Sequence, residues 1–143
     1  MKSGYKYLDE IAPADQAFEA WGNTLEELFT SCAKATFEVV TDLSIVEPEK
    51  SFPLNIEAET LEELLYLFLS EIIYLKDTER SFFNKFDLRI ETGKEFRLSG
   101  KVSGEKIDSE KHVLKTDVKA VTYHQFQVKK RKDGYYARVV LDL

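Results

Sequence analysis

The sequence has few of the residues that small proteins use for covalent or metal-bound frameworks: among 143 residues there are one Cys, two His and three Pro. Cys32 has no second cysteine for an internal disulfide, and one Cys with two His cannot supply the four ligands of a structural zinc site. No run approaches the roughly eighteen apolar residues of a membrane span, and the first residues lack the apolar core of a signal peptide. We therefore expect a cytoplasmic protein without disulfides, structural zinc or a membrane segment.

The sequence also lacks the motifs of the common enzyme classes. It contains no phosphate-binding Gly-x-x-x-x-Gly-Lys loop, no Gly-x-Ser-x-Gly elbow and no dinucleotide fingerprint. Cys32 and His124 are formally a nucleophile and a base, but a buried structural thiol is the favoured interpretation of Cys32. The absence of these signatures predicts that the chain is not an enzyme.

Positive charge is in short supply. Twenty Lys and Arg stand against 26 Asp and Glu, a net charge of −6, whereas a nucleic-acid-binding domain usually carries a basic surface. The local exception is the run Lys129–Lys132, which either contacts RNA or an acidic partner or, as we favour, protects an exposed hairpin tip. Stable direct binding of nucleic acid is therefore not expected.

Apolar residues make up 43% of the sequence, which is enough for one packed core, and we predict a single domain over residues 1–143. Two segments combine a capping box with an apolar stripe at helical spacing, one from Thr24 with Glu27 and one from Thr60 with Glu63. Both stripes should cover the same core. Their members are Leu25, Leu28, Phe29, Cys32, Ala35, Thr36 and Val39 in the first helix and Leu61, Leu64, Leu65, Phe68, Leu69, Ile72 and Ile73 in the second.

The remaining apolar segments read as strands. Short strands are predicted at Tyr5–Leu8, Ala17–Trp21 and Phe52–Ala58. From residue 82 the apolar pattern alternates, which predicts one hairpin around Thr92–Glu95 and another around Asp133-Gly134, separated by an irregular stretch from Gly104 to Asp117. This order of elements predicts an α+β fold, a two-layer domain in which two helices pack on an antiparallel or mixed sheet.

Two carboxylates are candidates for a metal site. Asp15 ends a predicted Pro-containing loop, Glu10–Asp15, and Asp142 ends an apolar run next to Leu143. A hard cation such as calcium would accept both carboxylates together with a main-chain or terminal oxygen of Leu143. The alternative is that Asp15 forms a turn and that Asp142 is a solvated terminal residue. Spacing alone cannot bring residues 15 and 142 together.

The two histidines receive ordinary interpretations. His124 shares a predicted strand face with Thr122, Phe126 and Val128, which favours a neutral core or edge residue. His112 lies among charged residues and is interpreted as a surface residue.

Several segments, taken in order, resemble the archease family. They are Ala14–Phe29, Phe37–Asp42, Lys119–His124 and Ala137–Leu143, with supporting matches at Leu61–Tyr66 and Gly104–Lys106, so that the resemblance covers essentially the whole chain. The first loop departs from the family pattern: it most often reads Glu-His-Thr-Ala-Asp, where this sequence has Glu10-Ile11-Ala12-Pro13-Ala14-Asp15.

The resemblance implies a function, a partner and a site. Archeases promote guanylylation of the GTP-dependent RNA ligase that joins tRNA halves during splicing, and they give it many turnovers. In the family, two Asp and the main-chain oxygen that follows the second hold a divalent metal ion, usually assigned as calcium. The matching positions here are Asp15, Asp142 and Leu143. A general chaperone of nucleic-acid-processing proteins is the alternative function, and a metal-dependent hydrolase acting alone is a third.

Overall fold

A computed structural model describes residues 2–8 and 14–143, which form seven β-strands and two α-helices. The elements are β1 (Gly4–Tyr7), β2 (Asp15–Gly22), α1 (Leu25–Val40), β3 (Lys50–Ala58), α2 (Leu61–Glu79), β4 (Ser81–Glu91), β5 (Phe96–Lys106), β6 (Ala120–Arg131) and β7 (Gly134–Asp142), with a 3-10 helix at Leu43–Ile45. The predicted helices and strands are all present. The loop predicted at Glu10–Asp15 lies outside the described residues as far as Pro13.

Both helices begin where their capping residues predict. Thr24 Oγ1 accepts a hydrogen bond from the Glu27 N–H at 3.1 Å, and Thr60 Oγ1 accepts one from the Glu63 N–H at 3.1 Å. The Glu27 carboxylate accepts the N–H of Asn23 at 2.8 Å. The threonine bonds satisfy amides that have no partner within the helix, so local sequence fixes both helix starts.

The strands form two antiparallel sheets. One contains β1, β2, β7 and β6 in that order, and the other contains β3, β5 and β4. Helix α1 packs against β2, β7 and β4, whereas α2 packs against β6, β3 and β5, so each helix covers parts of both sheets. The α+β class with two helices on antiparallel strands is confirmed. The sequence predicted one sheet, and this detail is wrong. β3, β4 and β5 pair only with one another, and no described strand joins them to the sheet of β1, β2, β6 and β7.

The apolar stripes of the two helices meet in the core. The stripe residues at the contact have no exposed surface: Leu28, Phe29, Leu65, Phe68 and Leu69. The centroids of the Phe29 and Phe68 rings lie 5.7 Å apart, which joins the two helices directly. Cys32 is fully buried in the same core, and burial raises the pKa of its thiol, so the predicted structural role is confirmed.

Two glycines let the pairing of β2 with β7 end close to the start of α1. A Cβ on Gly22 would lie 2.6 Å from the Leu28 nitrogen, and a Cβ on Gly134 would lie 2.3 Å from the Gly22 carbonyl oxygen. Gly134 also has a φ of +154°, which residues with a side chain rarely adopt. The pairing of β6 with β7 up to Arg131 and Gly134 confirms the hairpin predicted at Asp133-Gly134, and these contacts explain why glycine is needed at position 134.

A buried polar contact organises the connection from β5 to β6. The surface position predicted for His112 is wrong, because its side chain has no exposed area. Its Nδ1 accepts the Asp108 N–H at 2.9 Å, so a neutral ring carries its proton on Nε2, which lies 3.3 Å from a carboxylate oxygen of Glu105. The charged neighbours of His112 in sequence suggested exposure, whereas the tertiary structure brings its ring back against Glu105 of β5.

Glu105 is the centre of this contact. Burial by itself raises the pKa of Glu105, but hydrogen bonds from the Glu47 N–H and Lys111, together with the His112 ring nitrogen 3.3 Å away, outweigh it and lower the pKa to about 2. Because β5 continues to Lys106, the irregular stretch begins later than predicted. The anchored segment therefore leads from Glu105 to the start of β6 in a defined path.

Truncating Phe68 to Ala should lower the free energy of unfolding by about 3 to 5 kcal/mol, because it removes a fully buried ring and leaves a cavity. Urea denaturation followed by circular dichroism measures the loss. Leu67→Ala is the matched control, since this neighbouring side chain is 37% exposed and should lose about 1 kcal/mol or less. Equal losses in the two variants would contradict the packing of α2.

The lowered pKa of Glu105 predicts a pH dependence of stability. The charged carboxylate stabilises the fold above its usual pKa of 4.5, and this contribution disappears as the pH falls from 4.5 to about 2. The difference in unfolding free energy between wild type and Glu105→Gln should therefore shrink across that window. Urea titrations at stepped pH measure it, with the exposed Glu110→Gln as control. A difference that stays constant would argue against the stabilised carboxylate.

Candidate metal-binding site

The pairing of β2 with β7 brings the two predicted carboxylates together. Asp15 stands directly opposite Asp142 in the antiparallel register. Residues at such positions have Cβ atoms about 4.5–5.5 Å apart and point to the same face of the sheet. Residues near opposite ends of the sequence are therefore neighbours in the fold.

Asp15 and Asp142 lie on the face of the sheet opposite to the helices. The side chains that enter the core from these two strands are Phe18, Ala20, Ala137, Val139 and Leu141. Since side chains alternate along a strand, both carboxylates point to the other face. Both residues are partly exposed, so the pair is accessible to an ion or a partner.

Main-chain hydrogen bonds fix the chain segments next to Asp15 and Asp142. Leu143 donates its N–H to the Ala14 carbonyl oxygen at 2.8 Å, which fixes the last residue beside the start of β2. On the side of β7 away from β2, Lys119 donates its N–H to the Asp142 carbonyl oxygen at 2.8 Å, and the next residue, Ala120, pairs with Asp142. Three chain segments therefore meet at this end of the sheet.

The chemistry of the pair fits a hard cation. Within residues 2–8 and 14–143, neither carboxylate forms an ion pair with Lys, Arg or His. Like charges directly opposite each other destabilise a strand pair, and a bound cation would relieve that repulsion. Carboxylate and main-chain oxygens are the ligands that calcium prefers. No third His, Cys, Asp or Glu of the described segments joins the pair, so water or a partner would complete the coordination.

The other candidate residues do not assemble into a site. Cys32 is fully buried, whereas His124 is exposed on β6, so the two cannot act as a nucleophile and base. The basic run Lys129–Lys132 is exposed at the hairpin tip as predicted, and the Arg131 guanidinium lies over the Tyr136 ring at 3.9 Å from its centroid.

A groove of about 820 Å³ lies between β1, α1 and β4, away from the carboxylate pair. Its lining includes Tyr5, Glu26, Lys34 and Arg89 but neither Asp15 nor Asp142. Glu26 accepts the N–H of Ile90 at 3.1 Å and so satisfies part of the open edge of β4. The carboxylate pair is therefore a surface site and does not belong to this groove.

The alternating apolar pattern of the sequence did not reveal a large bulge in β6. Thr122 pairs with Val140 and Gln127 pairs with Arg138, so four residues of β6 stand opposite Val139 alone. The bulge places His124 in solvent instead of beside Phe126 and Val128. No Gly or Asn in the sequence marks the bulge. It is visible only from the pairing of β6 with β7 before and after it.

The fold occurs in solved structures. The solution structure of Protein 1598 from Methanobacterium thermoautotrophicum matches with a TM-score of 0.83 and 37% identity, covering 98% of this chain and 99% of that one. A crystal structure from Thermotoga maritima, described as an archease and possible chaperone, matches with a TM-score of 0.63 over 95% of this chain and 96% of that one. At 20% identity, the second likeness concerns the fold alone.

Sequence comparisons assign the family. Residues 5–143 match the model of the Archease protein family. The chain is 41% identical over 133 residues to Protein archease of Pyrococcus furiosus, covering 91% of this chain and 93% of the relative. It is 39% identical over 142 residues to Protein archease of Methanosarcina acetivorans, covering 97% and 95%. The chain therefore belongs to the archease family, which confirms the resemblance seen in the sequence. Neither described helix has the length and hydropathy needed to span a membrane.

Proposed function

We propose that this chain is an accessory activator of the GTP-dependent tRNA-splicing RNA ligase, that it promotes the ligase's guanylylation and multiple turnover, and that it is not itself an enzyme. Membership of the archease family supports an accessory role. The observation that carries the proposal is the placement of Asp15 opposite Asp142 on an accessible sheet face. A pair of carboxylates without a pocket suits a site that a partner completes.

The proposal includes a divalent cation, calcium, held by the carboxylates of Asp15 and Asp142 and a main-chain oxygen of Leu143. A bound cation would supply positive charge for phosphate oxygens at a partner's nucleotide site. The protein's own part is to hold two carboxylates at a fixed separation, since β2 and β7 are paired up to their ends. So few protein ligands imply a modest affinity without the partner.

A general chaperone remains the second candidate, favoured by a different observation. Several large apolar side chains are exposed: Leu67, Tyr74, Val113, Leu114 and Tyr123. A chaperone would bind unfolded chains through such groups and would not need the carboxylate pair. Sensitivity of activity to Asp15 and Asp142 therefore separates the two functions.

Asp142→Asn should lose the stabilisation by calcium that is expected of the wild type. In a chelator, the variant should be as stable as the wild type or more stable by about 0.2–1 kcal/mol, because a repulsion across the strands is relieved. With calcium, only the wild type should gain stability, since a ligand bound to the folded state stabilises it. Thermal unfolding with EDTA and with calcium measures both effects. Asp133→Asn at the exposed hairpin tip is the control, and a calcium response that Asp142→Asn retains would reject the cation site.

Asp15→Ala and Asp142→Ala should fold but lose stimulation of the ligase, because exposed polar positions usually change stability by less than about 0.5 kcal/mol. The measurement is multiple-turnover formation of the ligase-guanylate intermediate with the same organism's ligase, at fixed metal concentration. Asp133→Ala should stimulate like the wild type.

Each contrary outcome has its own meaning. Full stimulation by both site variants would reject the site, and no stimulation by the wild type would reject the function. Turnover of GTP or RNA without ligase would show that the chain is an enzyme.

A further inference from the structure

Three aromatic side chains form a partly exposed cluster between β6 and α2, which we call the aromatic platform: Tyr66, Tyr123 and Phe126. The Tyr123 ring stacks on the Tyr66 ring with centroids 3.9 Å apart and an interplanar angle of 8°. Phe126 meets both rings edge-on, at 6.1 Å from Tyr66 and 5.9 Å from Tyr123. Tyr123 is nevertheless 60% exposed, so its outer ring face is open to solvent.

The bulge of β6 creates the platform at the expense of regular pairing. Gln125 has a φ of +51°, which is uncommon for a residue with a side chain. Arg138 Nη2 donates to Gln125 Oε1 at 2.7 Å, and the His124 N–H donates to Thr122 Oγ1 at 3.3 Å. A bulge re-aims side chains, and such a held, unfavourable backbone conformation supports a hypothesis of function.

The accessible side chains of α2, the helix that carries Tyr66, have charge of one sign. The accessible charged side chains of the helix are all acidic: Glu62, Glu63, Glu71, Asp77 and Glu79. The helix's basic residue, Lys76, is 3% exposed and is paired with Asp77 and Asp117. Leu67 and Tyr74 are exposed on the same helix, so the face combines apolar groups with negative charge.

The charges near the aromatic platform favour a cationic ligand over an anionic one. Partial burial, the Tyr66 hydroxyl and the negative charge of Glu63 all raise the pKa of Tyr123, so its phenol stays neutral. The nearby cation Arg138 is already bound to Gln125, and Arg131 lies over Tyr136. A phosphate backbone would be repelled by the α2 carboxylates. A planar cation is attracted both by the ring face and by the carboxylates.

We propose that the aromatic platform and the acidic face of α2 together bind an arginine-bearing basic segment of a protein partner. A guanidinium stacks on the free face of Tyr123, and Glu63 and its neighbours on α2 pair with it and with adjacent basic residues. Enzymes that process RNA carry basic surfaces, which suits such a contact. The identity of the partner as the RNA ligase rests on the proposed function, but the chemistry of the surface does not.

The first experiment separates docking from activation. Stimulation of ligase guanylylation is measured as a function of this protein's concentration. Tyr123→Ala and the double variant Glu63→Gln/Glu71→Gln should raise the concentration needed for half-maximal stimulation by about fivefold or more and leave the maximum unchanged. Tyr123→Phe keeps the ring and should behave like the wild type. The double variant Glu49→Gln/Glu110→Gln removes two exposed charges outside α2 and is the matched control.

The second experiment tests the surface without the ligase. The probes are a short peptide of alternating Arg and Gly, the same peptide with Lys for Arg, and an oligouridine, each titrated at low salt and followed by NMR shifts of Tyr123. The Arg peptide should bind more tightly than the Lys peptide, and Tyr123→Ala should weaken it. Equal binding of the two peptides, or oligouridine binding that is stronger and lost in Tyr123→Ala, would overturn the proposal.

The two arms distinguish the failures. Unchanged half-maximal concentrations in Tyr123→Ala and in the charge variant would overturn the surface while leaving the ligase function intact. If the wild type stimulates no ligase, the proposed function fails, and selective Arg-peptide binding still supports the surface. Melting temperatures of all variants close to that of the wild type confirm that folding is not the cause.

Discussion

The antiparallel pairing of β2 with β7 is the constraint on which the candidate site depends. A shift of one residue would turn every side chain of a strand to the other face. Phe18 pairs with Val139 and Ala20 pairs with Ala137, and all four side chains are buried in the core. The same register therefore places Asp15 opposite Asp142. Core packing, rather than any attraction between the carboxylates, holds two like charges together.

The second support of the site is the segment between β5 and β6. Glu105 is ionised and almost buried, and removing a partner from such a group is strongly unfavourable. His112 therefore keeps the segment folded over β5, and the chain returns to the first sheet in one path. It arrives with the Lys119 N–H on the Asp142 carbonyl oxygen. A polar contact in one sheet thus helps to fix the end of the other.

Sequence patterns predicted the parts of the fold that local chemistry determines. The threonine caps at Thr24 and Thr60, the two apolar stripes and the turn at Asp133-Gly134 depend on residues close in sequence, and all are present. The division into two sheets depends on which distant strands pair, and alternation along a strand carries no such information. The sequence analysis missed the burial of His112 and the bulge at Gln125 for the same reason, since both depend on contacts between distant segments. For the site, the residue types were suggestive, but only the resemblance to archeases linked positions 15 and 142 before the register did.

β6 connects the carboxylate pair to the aromatic platform. Ala120 stands beside Asp142, and Tyr123 follows three residues later, a separation of about 10 Å along an extended strand. The pair faces away from the helices while Tyr123 leans onto α2, so the strand edge lies between the two surfaces. One partner that wraps this edge could contact both. If both proposals hold, affinity would come from the rings and acidic side chains, and the carboxylate pair would be left free to serve the partner's chemistry.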